Sequence, residues 1–133
     1  FDTYHNNTTF SEKACAYRIN EQFYYHGKIS DFSNLNLIYL NAIIDMCNKK
    51  EIELTLLTTP LHKRYIQEVP KVYISEFLKF TKKNKSINLE NTLLTDSCYS
   101  PDGDHINNKA ISETNKVFKS KIWNIFSLLK ILY

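Results

Sequence analysis

The sequence predicts an α/β fold, a partial three-layer α/β/α arrangement around a parallel sheet. Segments with apolar residues at helical spacing alternate with short β-leaning runs, in the order helix, strand, helix, strand, loop, helix. The first of these runs stops at Pro60 and reads as a strand buried in a parallel sheet. Glycine is confined to Gly27 and Gly103, so each marks a point where the chain must turn.

The elements follow in order. Residues 1–33 are polar and aromatic, and read as an irregular insertion or linker with one short helix near Glu12–Gln22. No chemistry is assigned to them; the glycosylation pattern at Asn6-Asn7-Thr8-Thr9 is too short to be informative. Ser33 is a plausible N-cap for a helix with Leu37, Leu40, Ile44 and Cys47 on one side, ending at Lys49-Lys50. The first strand is placed at Ile52–Thr58. Pro70 fits the first turn of the next helix, where its missing N–H costs nothing. That helix carries Tyr73, Ile74, Phe77, Leu78 and Phe80, and its basic end at Lys82-Lys83-Asn84-Lys85 suits a helix C-terminus. Ile87-Asn88-Leu89 is the second strand. A loop rich in Ser, Asp, Pro and Gly runs from Asp96 to His105, and a last helix starts near Asn107. The apolar tail 122–133 forms a C-terminal helix, too short for a bilayer, which needs roughly twenty residues. Residues 34–121 thus form the α/β unit proper. Two strands do not make a stable sheet alone, so further strands are expected from upstream sequence or a partner chain.

The bulk properties exclude several function classes. Hydrophobic residues make up 43% and charged residues 23%, ordinary for a soluble globular protein. A net charge of +3, with the basic residues scattered, gives no reason for a nucleic-acid partner. Cys15, Cys47 and Cys98 are odd in number and lack CxxC spacing, which argues against a disulfide framework or a thiolate zinc site. His5 and His26 have no nearby cysteine or carboxylate cluster, so no metal or other cofactor is expected. The spacing of Asp96, Asp102 and Asp104 misses the EF-hand pattern. The first thirty residues contain no apolar signal region, which favours the cytoplasm without fixing it. Since the chain begins with Phe1 and its only methionine is Met46, a fragment is expected.

The segment with chemical character is Ser100-Pro101-Asp102-Gly103-Asp104-His105-Ile106-Asn107, directly after a strand and before a helix. In open α/β sheets this strand edge is where sites form. A carboxylate three residues before a histidine on a tight loop can turn back onto the imidazole. Asp102 could then accept from one ring nitrogen and leave the other free to take a proton from a nucleophile, with Gly103 allowing the sharp turn. The residues alone leave another reading open, in which Asp102 caps a turn and His105 is a solvated loop residue. Asp104 is expected to face solvent or cap the following helix, and Tyr65 and Tyr73 to be packing residues. His62, at another strand end, is expected on the surface, with lining of the same cleft as the alternative. Nothing gives Ser100 the setting of a nucleophile.

The block Asp102-Gly103-Asp104-His105-Ile106-Asn107 resembles the last conserved block, D-x-x-H, of the SGNH (GDSL-like) hydrolases. The run to Thr58-Thr59-Pro60-Leu61-His62 resembles that fold's penultimate strand and Ile87–Asn91 its final one. The resemblance covers residues 34–120 and is nearer to uncharacterised bacterial proteins of the family than to its lipases. It implies a flavodoxin-like sheet whose N-terminal strands are absent here. It also implies an esterase or acylhydrolase activity on a small-molecule or carbohydrate ester, with His105 as general base and Asp102 as its orienting carboxylate. The family's Gly-Asp-Ser nucleophile block and its oxyanion donors have no counterpart in this chain, so the nucleophile is expected upstream. Ala110 stands where the family usually has Gly. The competing expectation is a non-catalytic α/β interaction module, self-associating or docking through an exposed strand edge or the apolar tail. A phosphate-binding domain is the weakest candidate, because glycine is so scarce.

Overall fold

A computed structural model describes residues 9–31, 34–90, 92 and 94–130, and shows a mixed α/β molecule with a small parallel sheet. Ser11 is extended and turns its hydroxyl oxygen onto the N–H of Ala14, starting α1 (Glu12–Phe23), whose Glu12 complements the helix N-terminus. Cys15 and Ile19 are four residues apart, so they share a face. They are buried against Tyr65, with Phe10, Phe23, Leu61 and Val69 packed around them. The described part of the segment expected to be a linker is therefore part of the core. Next, β1 (Tyr24–Tyr25) pairs antiparallel with β2 (Lys28–Ile29) through a turn at His26 and Gly27. Their φ values of 49° and 73° are the two positive values a type I′ hairpin turn demands. The sequence predicts loop here, because strands of two residues are too short to show a period.

Helix α2 (Asn34–Lys49) keeps Leu37, Leu40 and Ile44 half-buried and Cys47 buried, along the stripe that the spacing predicts. Its expected cap, Ser33, lies outside the described residues. At its C-terminus the N–H of Ile52 donates to the Cys47 carbonyl (2.9 Å) and that of Glu51 to the Asn48 carbonyl (3.2 Å), a Schellman closure with Glu51 at φ 54°.

Strand β3 covers only Leu56–Thr58, and pairs in parallel with β4 (Ser86–Asn88) in the register Leu56 with Ser86 and Thr58 with Asn88. The predicted strand began at Ile52, but Ile52 closes the α2 turn and is exposed. Between the strands lie α3 (Lys63–Glu68), which the sequence reading missed, and α4 (Lys71–Lys83). Pro70 occupies the cap position of α4 rather than its first turn. Tyr73, Ile74, Phe77 and Phe80 form its half-buried stripe, while Leu78 is exposed. Helix α5 (Ala110–Lys130) starts after Asn107, whose side chain accepts from the N–H of Lys109 (2.9 Å) and whose carbonyl accepts from that of Ala110 (3.0 Å). The predicted tail helix is the second half of this one helix, and residues 131–133 lie outside the described part. Among the described residues no helix is long and apolar enough to cross a membrane.

Because β3 and β4 are parallel, their carboxyl ends share one edge. Pairing continues beyond them there, with the N–H of Leu61 donating to the Glu90 carbonyl (3.2 Å). Onto this edge the loop before α5 folds back.

Candidate functional site

Residues 98–107 form a closed loop. The N–H of Asn107 donates to the Cys98 carbonyl (2.9 Å), that of Ser100 to the His105 carbonyl (2.9 Å), and Tyr99 and Ile106 form an antiparallel bridge. A tight turn inside brings the Gly103 N–H to the Ser100 carbonyl (3.1 Å). Gly103 has φ 72°, and a Cβ there would lie 3.1 Å from both His62 Cβ and Phe10 Cε2. Only glycine suits this position, for conformation and for space. The loop is tied down from outside by the N–H of His62 to the Gly103 carbonyl (2.9 Å) and by the N–H of Ser11 to the Pro101 carbonyl (3.0 Å).

Within this frame Asp102 and His105 meet. Asp102 Oδ2 lies 2.9 Å from His105 Nδ1. Its other oxygen, Oδ1, accepts from the backbone N–H of Asp104 (3.1 Å) and of His105 (3.2 Å). The two readings left open by the sequence therefore coexist: the carboxylate caps the turn with one oxygen and meets the imidazole with the other. Two amide donors fix the plane of the carboxylate, so its second oxygen is aimed rather than free to rotate. A carboxylate is acceptor-only, so the bond to it places a proton on Nδ1 and leaves Nε2 of the neutral ring unprotonated. The His105 side chain is 61% exposed, so Nε2 is available to a group arriving from outside the described residues.

Asp104 corrects the sequence reading. Rather than facing solvent, its side chain is 17% exposed and Oδ2 accepts from Arg18 Nε (3.0 Å), Arg18 Nη2 (2.8 Å) and Gln22 Nε2 (3.0 Å). The Asp104 bond holds the Arg18 guanidinium charged beyond its usual range. Gln22 is oriented in turn by the Tyr65 hydroxyl, which donates to its Oε1. Burial, and secondarily the Asp104 charge, pushes the Tyr65 phenol above its ordinary range, which keeps it a neutral donor. Tyr65 thus packs in the core as expected and also carries a polar link. Tyr73 has one as well, from its hydroxyl to the Ser30 carbonyl (2.9 Å).

His62 is the second correction. It is 4% exposed, stacked on Phe10 (3.5 Å between ring centroids, 16° between planes) and met edge-on by Tyr99. Its Nδ1 accepts from the N–H of Arg64 (3.2 Å), which caps α3, so the proton sits on Nε2 and is donated to Asp96 Oδ1 (3.2 Å). With both ring nitrogens engaged, His62 has no free nitrogen to act as a base. A cleft of about 320 Å³ opens at the carboxyl ends of the strands, lined by Leu61, His62, Ile66, Leu94, Asp96 and Tyr99 among others. His105 is not among its lining residues.

Ser100 lies in the same loop, where its backbone N–H and its carbonyl are both engaged in loop hydrogen bonds. Ala110 is fully buried at the start of α5, a place that takes a small side chain. Among the described residues no group of three or more His, Cys, Asp or Glu side chains could hold a metal ion; His5 lies outside them. Arg18 and Gln22 were missed because the only sequence signal is their i, i+4 spacing on one helix face, which any amphipathic helix shares. No family model, no curated protein and no solved structure matches this chain.

Proposed function

We propose that this chain is the C-terminal part of an SGNH-type hydrolase with a flavodoxin-like sheet, supplying the carboxylate and the general base for ester hydrolysis. One observation carries the reading: Asp102 is locked by two backbone amides and presents its free oxygen 2.9 Å from Nδ1 of an otherwise exposed histidine. A base of this kind accepts the proton of a serine hydroxyl on Nε2 as that oxygen attacks an ester carbonyl, and then returns it to the leaving alcohol. The carboxylate holds the ring in the required tautomer and stabilises the imidazolium formed in between. The serine and the oxyanion donors come from outside the chain, and the substrate is a small-molecule or carbohydrate ester.

The test is to express the chain together with the reading frame that precedes Phe1 and treat the product with a fluorophosphonate. Labelling of a serine that is lost in His105→Ala supports the reading. Absence of any labelled serine, or labelling indifferent to His105, overturns it. The 133-residue chain alone is expected to show no ester turnover, since it has no nucleophile to acylate.

A second reading, a non-catalytic interaction module, is favoured by α2. On the side away from its core stripe, Leu35, Ile38, Tyr39, Ile43 and Met46 are each about half exposed or more. The sequence expectation places such a surface on a strand edge or the apolar tail, and the side chains of 121–133 lie outside those described. Absence of any serine labelling that depends on His105, together with loss of self-association in Ile43→Glu, would favour the module.

A further inference from the structure

We infer that Arg18 is a positioning residue for the Asp102–His105 pair, and that α1 is the brace holding the loop on which the pair sits. The inference rests on the reading of that pair as base and orienting carboxylate. It starts from which amides aim Asp102: they are those of Asp104 and His105, the two peptide N–H groups flanking the Cα of Asp104. Whatever fixes Asp104 therefore fixes both donors at once. Its carboxylate is the part anchored to another element, through three donors on one oxygen, two from Arg18 and one from Gln22.

The chain of contacts is continuous. Arg18 holds the Asp104 side chain, the backbone around Asp104 presents two N–H groups to Asp102 Oδ1, and Asp102 Oδ2 then meets His105 Nδ1. Tyr65 on α3 sets the Gln22 amide, so that its oxygen is occupied and its nitrogen faces Asp104. At the start of α1 the N–H of Ser11 holds the Pro101 carbonyl, and the Phe10 ring fills the space that a Cβ on Gly103 would need. The helix thus grips the loop on both sides of Asp102. A planar guanidinium donating from Nε and Nη2 fixes direction as well as charge, which a lysine ammonium does not.

The experiment uses the 133-residue chain labelled with ¹⁵N, and reads the tautomer of neutral His105 and the exchange of its Nδ1 proton with water. In Arg18→Ala and in Asp104→Asn, folded by their backbone spectra, the Nδ1-protonated form is expected to give way to a mixture. Nδ1 proton exchange should then rise about tenfold, in keeping with the loss of a hydrogen bond to a charged group. Arg18→Lys should restore only part of the effect. If Arg18→Ala does not fold, Gln22→Ala, which keeps the ion pair, is expected to shift exchange in the same direction by less. A wild-type tautomer and wild-type exchange in the folded variants would overturn the inference. Asp102→Ala separates the two claims: if it too leaves His105 unchanged, the pair itself is wrong, whereas a change in Asp102→Ala alone discards only the brace.

Discussion

At the residue scale, function and stability meet at Gly103. Its positive φ would cost an ordinary residue about 1–2 kcal/mol, and a Cβ would press on the Cβ of buried His62 and on the Phe10 ring, neither of which can move away cheaply. Gly103→Ala is therefore expected to lose about 2–4 kcal/mol of stability, measured by denaturant unfolding, the upper part coming from overpacking. The pairing of Asp102 with His105 was legible in the sequence because both partners lie in one loop, and a glycine between them signals a turn. The roles of Asp104 and His62 were not. What buries His62 is Phe10 and Tyr99, and what engages Asp104 is Arg18 and Gln22, all distant in the chain. A polar loop residue carries no local mark of such a partner.

At the element scale, the long helices were legible because their apolar periodicity is strong, and the missed elements share a physical reason. Helix α3 has six residues and the hairpin strands two each, too short for a period to show. The strands of the parallel sheet were found, the second shifted by one residue and the first overextended at its start, since apolar character precedes the point where pairing begins. The C-terminus of α2 offers a direct check. Glu51 takes the left-handed position of a Schellman closure at φ 54°, where glycine is free of the Cβ penalty. Glu51→Gly is expected to raise stability by about 1 kcal/mol, visible as a higher melting temperature. An unchanged or lower value would mean that the Glu51 side chain contributes more than its backbone costs.

At the scale of the whole molecule, α1 and α3 share a core cluster, and buried groups in it and elsewhere in the core are favoured in their neutral form. Burial raises the Tyr65 and Tyr99 phenols above their ordinary value of 10.0 and the Cys15 thiol above its ordinary 9.0. Each is an acid whose neutral form is favoured by folding. Its contribution is complete below the unfolded-state value and is lost as pH rises toward the folded one. Stability is therefore expected to be insensitive to these groups below pH about 8 and to fall progressively above pH about 9. Tyr65→Phe should flatten part of that alkaline slope in melting experiments, although it also removes the link to Gln22. At the same scale the exposed apolar face of α2 is where the interaction-module reading is tested. Ile43→Glu is expected to reduce self-association, measured by sedimentation, without lowering stability by more than about 1 kcal/mol, as for an exposed position.

The central claim is that Asp102 orients His105 as a base, and it is tested most directly by the tautomer of the neutral His105 ring, read by long-range ¹H–¹⁵N correlation in wild type and Asp102→Asn. In wild type the proton is expected on Nδ1, with Nε2 bare. In Asp102→Asn the two backbone amides still require an oxygen at the Oδ1 position, so the new NH₂ replaces Oδ2 and donates to Nδ1. The ring proton is then driven to Nε2, the orientation that disables a base of this type. A mixed tautomer in wild type that does not change in Asp102→Asn would contradict the account.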